Sequence, residues 1–147
     1  MAAAHPGFTL ERGGSPVILC FPHVGTDVPD AVAAGLNANG RLLADADWHV
    51  DRLYADLLPD VTMLRARAHR YVIDLNRDPS GESLYPGQNT TGLVPATDFD
   101  GKAIWRPGLE PGAQEIEARI AAWHRPYHAA LEQEIARIRA LHGAVIV

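Results

Sequence analysis

At 147 residues the chain has the length of a single domain, 1–147, and its 47% hydrophobic content is enough to build a buried core. The net charge is −5, from 13 Lys+Arg against 18 Asp+Glu, and no basic run is present to neutralise phosphates, so a nucleic-acid partner is not expected. No apolar run approaches the about 18 residues a membrane helix needs, no secretory leader pattern opens the chain, and a lone cysteine, Cys20, allows no internal disulfide; no membrane partner and a cytoplasmic location are expected.

The first predicted element is an apolar strand, Pro16 to Phe21. It runs into Pro22-His23-Val24-Gly25, a turn with a histidine at the strand's carboxyl end. Residues 24 to 39 read as a loop with a short helix near Val32–Leu36. From Asp45 a helix is expected, with Trp48, Leu53 and Leu57 as a partial apolar stripe and Pro59 as its stop. Val61–Ala66 and Tyr71–Leu75 read as the second and third strands. Residues 77 to 112 are rich in Pro, Gly, Asn, Thr and Asp, and so form a long irregular segment of the kind that is usually functional or mobile. Residues 113 to 142 give the strongest helix signal, with Ile116, Ile120, Trp123, Tyr127, Leu131, Ile135, Ile138 and Leu141 at three- and four-residue spacing. Pro126 falls inside it and should kink or interrupt it. Gly143 caps that helix, and an apolar strand starts at Ala144–Val147. Alternating strands and helices give an α/β sandwich.

Several residues can carry chemistry. In α/β sheets ligands bind beyond the carboxyl ends of strands, which is where His23 falls. If the segment from Asp45 is helical, Asp47 and Asp51 share one face at i, i+4. Two acids so placed repel unless a cation or a basic partner lies between them; equally, acids at a helix start meet the macrodipole and face solvent. A catalytic zinc takes three ligands from His, Asp, Glu and Cys plus a water, and His23 with one aspartate would supply two. Asn76-Arg77 ends the third strand, and arginine's planar fork matches a carboxylate in two parallel bonds. Asp74, one alternation away, can orient its neighbours. The amides and hydroxyls of Gln88–Gly92 can line a polar pocket or simply make turns. His124 and His128 stand at i, i+4 without the glutamate of an HExxH site, and a structural role is expected, with Arg125 or His128 as a possible pocket residue. Cys20 sits in an apolar strand, where a thiolate nucleophile is disfavoured.

Five blocks, SPVILCFPHVGTDVP, DADWHVDRLY, HRYVIDLNRDP, LYPGQNTTGLVPATDFDG and WHRPYHAALEQEIARIRALHGAVIV, together resemble the N-formylglutamate amidohydrolase (deformylase) family from Ser15 to Val147. The resemblance implies hydrolysis of N-formyl-L-glutamate to L-glutamate and formate in histidine degradation. It implies a three-layer α/β/α sandwich with a mixed sheet, similar to the zinc-dependent exopeptidases and phosphorylase/hydrolase-like. It further implies zinc or another divalent metal on His23 and on Asp47 or Asp51, Asp47 preferred, and a substrate-carboxylate clamp at Asn76 and Arg77. Family members continue into a DAHS-like motif that would supply the third ligand. The expectation is therefore an N-terminal portion of the domain, incomplete at its C-terminus, with the activity of the isolated chain left open. Catalytic acid and base are unassigned, with His49, His124 and His128 as spare ligand candidates. Alternatives are a zinc hydrolase of another N-acyl amino acid, or a non-catalytic remnant or half of a split enzyme.

Overall fold

The computed structural model describes residues 7–80 and 91–147 in full, and residues 3–5 as backbone. Four strands form one mixed sheet in the order β1-β2-β4-β3: β1 Ala3–His5, β2 Phe8–Glu11, β3 Ile18–Phe21 and β4 Thr62–Ala66. β1 and β2 make an antiparallel hairpin, β2 pairs antiparallel with β4, and β4 pairs parallel with β3. On the free side of β3, Ile18 N–H donates to the Ile146 carbonyl (2.8 Å) and Ile146 N–H to the Pro16 carbonyl (2.9 Å). The predicted apolar end of the chain thus lies beside β3 as a single parallel bridge.

β4 is central and buried on both faces, with only Arg65 of its residues partly exposed. Leu64 and Ala66 join Phe8 and Leu10 of β2 in the main core. That core is covered by α1 (Asp30–Gly35) through Val32, and by the long C-terminal helical segment through Ile120 and Tyr127. Tyr127 meets Phe8 edge to face, ring centroids 5.8 Å apart. Met63 joins Phe21 and Val61 in a smaller cluster, against which Val50 of α2 (Val50–Leu53) packs. The architecture is α/β with a mixed sheet. Among the described residues no helix is long and apolar enough to cross a membrane.

Three predicted elements differ from the observed ones. The helix expected from Asp45 forms only over Val50–Leu53, because His49 takes a left-handed conformation (φ 61°) that ends any helical path arriving from Asp47. Asp47 and Asp51 therefore do not share a helix face. Tyr71–Leu75 is not a strand. It is a buried irregular segment whose amides go elsewhere: Val72 N–H to the His69 carbonyl (2.8 Å) and Asp74 N–H to the Leu93 carbonyl (2.7 Å). The C-terminal helical segment is three pieces: α3 Ala113–Arg119, a π-turn Ile120–His124, and α4 Arg125–His142. Pro126 explains the break. It has no N–H to give the preceding turn, and the widened turn, with Arg125 N–H on the Ile120 carbonyl, absorbs the change of pitch. The β1–β2 hairpin was not expected at all.

Candidate functional site

The site forms where the parallel strands β3 and β4 end. The chain leaves β3 at Phe21 and reaches His23 two residues later. It is then held against the continuation of β4, with Asp27 N–H on the Arg67 carbonyl (2.8 Å) and His69 N–H on the Asp27 carbonyl (2.9 Å). Gly25 lies in this contact. A Cβ there would stand 2.4 Å from the Ala68 carbonyl oxygen, so only glycine lets the two backbones approach. The turn after His23 is therefore a close backbone crossing.

From β4 the chain continues through His69 and Arg70 to Asp74, which is fully buried. Its Oδ1 accepts from His23 Nε2 (2.8 Å) and from the backbone N–H of Asn76 (2.9 Å), and its Oδ2 accepts from Arg70 Nη2 (2.6 Å). Burial by itself would raise the pKa of this carboxyl. The His23 bond and charge, the Arg70 charge and the Asn76 amide outweigh it and hold the value at about 2. Arg70 is buried too, lies 4.6 Å from the Phe99 ring centroid, and reaches Thr91 Oγ1 at 3.4 Å. His69 is buried as a neutral ring: burial foremost, and the adjacent Arg70 charge, pull its pKa from 6.5 down to about 4. Its Nδ1 accepts the Tyr71 N–H at 3.0 Å.

His23 thus presents one nitrogen to a buried carboxylate. Its other nitrogen, Nδ1, faces Asp47 Oδ2 at 3.8 Å. Asp47 is fixed there by its own backbone, whose N–H donates to the His23 carbonyl (2.9 Å). Asp51 lies elsewhere, 3.4 Å from Arg65 Nε. With Nε2 bonded to Asp74, Nδ1 is the His23 nitrogen that faces Asp47. A histidine that gives one N–H to a carboxylate and keeps the other nitrogen for a cation is the usual second-sphere pattern of a metal ligand. Two ligands on a tetrahedral zinc at about 2.1 Å each stand roughly 3.4 Å apart. The His23–Asp47 spacing is close to this, and the half-exposed Asp47 side chain has freedom to close the difference. The donor chemistry therefore suits a divalent cation, with two of its ligands from this pair. Among the described residues no group of three or more His, Cys, Asp and Glu is gathered.

The turn after Asp74 carries Asn76 and Arg77. Arg77 is anchored by Nε on the Thr91 carbonyl (2.9 Å) and Nη1 on the Asn76 carbonyl (3.0 Å), while the Asn76 side chain is exposed. Two histidines of the C-terminal segment hold this turn from behind. His124 Nε2 donates to the Arg77 carbonyl and His128 Nε2 to the Leu75 carbonyl, both at 2.9 Å. Their rings stack with centroids 4.2 Å apart. Burial, foremost, and His128 nearby depress the pKa of His124 against the pull of its carbonyl bond. The structural role expected for this pair is what the contacts show. Arg125 pairs with Glu117 at the surface, and His49 is exposed beside Trp48. Burial pushes the Cys20 thiol up to about 11, which disfavours the thiolate a nucleophile needs. Of the predicted Gln88–Gly92 pocket loop, residues 88–90 lie outside the described residues; Thr91 lies against Arg70 and Arg77. Arg70 went unread in the sequence because a charge inside the stretch HRYVIDL gives no sign that it is buried.

The model of the N-formylglutamate amidohydrolase family matches residues 15–147. The chain is 40% identical over 141 residues to the N-formylglutamate deformylase of Pseudomonas aeruginosa, covering 95% of this chain and 52% of that protein. It is 38% identical to the N-formylglutamate deformylase of Pseudomonas putida over the same shares. The crystal structure of N-formylglutamate amidohydrolase from Ralstonia eutropha JMP134 superposes with a TM-score of 0.72 at 32% identity, over 95% of this chain and 54% of that one. The chain spans about half the length of the curated relatives it matches.

Proposed function

Because the chain belongs to the N-formylglutamate amidohydrolase family, we propose that its His23 site serves the hydrolysis of N-formyl-L-glutamate to L-glutamate and formate. The observation that carries the reading is the Asp74–His23–Asp47 line: a buried carboxylate fixes one nitrogen of the imidazole and a second, half-exposed carboxylate faces the other. His23 Nδ1 and Asp47 would hold a divalent metal, zinc being the natural candidate for this donor set, with a further ligand from outside the pair. When bound, such an ion polarises a carbonyl and lowers the pKa of a water to about 7.

The chain's own residues do the rest. Asp74 accepts from His23 Nε2, which leaves Nδ1 as the nitrogen turned toward a metal. Arg70 supplies the counter-charge that keeps Asp74 ionised in a dry setting. Arg77, with Nε and Nη1 tied to backbone carbonyls, offers its guanidinium to a substrate carboxylate, and the exposed Asn76 amide adds a donor beside it. N-formylglutamate carries two carboxylates, so a cationic fork near the reacting amide suits it. A substrate held by a carboxylate at Arg77 would have to bring its formyl group to His23 and Asp47 for this reading to hold.

The test is formate release from N-formyl-L-glutamate by the zinc-supplemented chain, with N-acetyl-L-glutamate as the competing substrate. Turnover lost by about 100-fold or more in His23→Ala, and preference for the formyl compound, is the expected result. Equal turnover of both compounds would move the reading to a broader N-acyl amino acid hydrolase. No turnover by the wild-type chain would make it a binding or partner subunit rather than an enzyme on its own.

A further inference from the structure

The stacked histidines on the C-terminal segment are absorbed by neither the metal pair nor the substrate fork. They touch the turn that carries the fork through its backbone carbonyls. His124 Nε2 meets the Arg77 carbonyl and His128 Nε2 the Leu75 carbonyl, each at 2.9 Å. A carbonyl accepts, so both imidazoles are donors at Nε2 and both hold the same tautomer. The ring stack at 4.2 Å ties the two donors into one rigid unit. The i, i+4 spacing puts them on one side of the helix, and the π-turn sets His124 at the start of α4. Tyr127, between them in sequence, is buried against Phe8 of the sheet, so this part of α4 cannot drift away from the core.

The bonded carbonyls flank Asn76. On one side of the turn, Asn76 N–H runs to Asp74 Oδ1 at 2.9 Å. On the other, Arg77 folds its Nη1 back onto the Asn76 carbonyl at 3.0 Å. The residues from Leu75 to Arg77 lack a strand or helix to fix them. Their backbone is held by Asp74 from the front and by the two imidazoles from behind.

We propose that His124 and His128 are positioning residues: by donating to the carbonyls of Arg77 and Leu75 they set the backbone from which Arg77 meets a substrate carboxylate. The inference rests on the reading of Arg77 as the carboxylate fork. It differs from a packing role in what it requires. Packing needs two flat rings in contact. Positioning needs two N–H donors at the place of Nε2. Phenylalanine keeps the first and loses the second. Glutamine loses the ring but carries an amide N–H close to where Nε2 lies.

The experiment is calorimetric binding of N-formyl-L-glutamate to the zinc-supplemented chain, alongside zinc affinity and thermal unfolding of each variant. His124→Phe with His128→Phe is expected to weaken N-formyl-L-glutamate binding about tenfold, the scale of a lost hydrogen bond or two. Zinc affinity should stay within about twofold, because His23 and Asp47 keep their own supports. His124→Gln with His128→Gln should recover most of the loss. If the double phenylalanine variant does not fold, His128→Phe against His128→Gln gives the same comparison. Unchanged binding in the phenylalanine variants while Arg77→Met abolishes it would overturn the positioning role and leave the carboxylate fork standing. Failure of glutamine to restore binding would likewise overturn it in favour of ring packing. Unchanged binding in Arg77→Met would remove the fork itself, and the positioning role with it.

Discussion

Asp74 holds three elements of the site at once: the end of β3 through His23, the run after β4 through Arg70, and the Asn76 turn through a backbone amide. Replacing it by asparagine leaves Arg70, 3% exposed, without a counter-charge. Removing one partner of a buried ion pair costs about 3–5 kcal/mol. Asp74→Asn should therefore lower the urea midpoint sharply, and Asp74→Leu with Arg70→Met should recover a large part of it, since an apolar pair needs no solvation. His69 gives a second residue-scale prediction. Its folded pKa, about 4, lies below the unfolded 6.5, so between those values the unfolded chain takes up a proton that the folded chain does not. Stability from this ring is complete above pH 6.5 and falls as pH drops through the window, by about 3 kcal/mol across it. His69→Asn, whose amide oxygen can take over the Tyr71 N–H at the place of Nδ1, should flatten that part of the pH–stability curve. An unchanged slope would mean that His69 is not held neutral.

At the scale of elements, the Arg12–Glu134–Arg137 cluster joins α4 to the segment after β2. Glu134, 1% exposed, accepts from Arg12 Nε and from Arg137 Nε, both at 2.7 Å, and Arg137 Nη2 continues to the Gly13 carbonyl and Thr62 Oγ1, both at 3.0 Å. Glu134→Gln keeps the shape and removes the charge, and should cost about 1.5–3 kcal/mol in denaturant unfolding. An effect near zero would mean the arginines find water instead. Element-scale reading of the sequence worked where pattern and burial coincide. Ile18–Phe21 and Thr62–Ala66 were legible as short apolar-rich runs bounded by turn residues, and the 113–142 segment by the helical spacing of its apolar residues. Tyr71–Leu75 was not, because a continuous apolar run describes a buried loop as well as a buried strand. The helix expected at Asp45 shrinks to Val50–Leu53, bounded on its amino side by the left-handed conformation of His49, which no periodicity reports. Pro126 announced a break, but the π-turn that accommodates it depends on packing against the sheet.

For the whole molecule, the parallel pair β3–β4 decides where chemistry can occur. Both strands deliver their continuations to the same end of the sheet, and His23, Arg70, Asp74 and the Asn76–Arg77 turn all follow from them. That placement is the general one for α/β sheets, and it made His23 legible from its position after a strand. Asp74 was legible only as a neighbour, and Arg70 not at all, since buried charge leaves no mark in a sequence. The fold separates Asp47 from Asp51: the Asp47 amide bonds to the His23 carbonyl, whereas Asp51 lies against Arg65. The central claim, that His23 and Asp47 together hold a divalent cation, is most directly tested by equilibrium dialysis of zinc against the wild-type chain and against His23→Ala, Asp47→Asn and Asp51→Asn. Zinc bound by the wild type, lost in the first two variants and retained in the third, is the predicted result. Zinc retained in both His23→Ala and Asp47→Asn would contradict it.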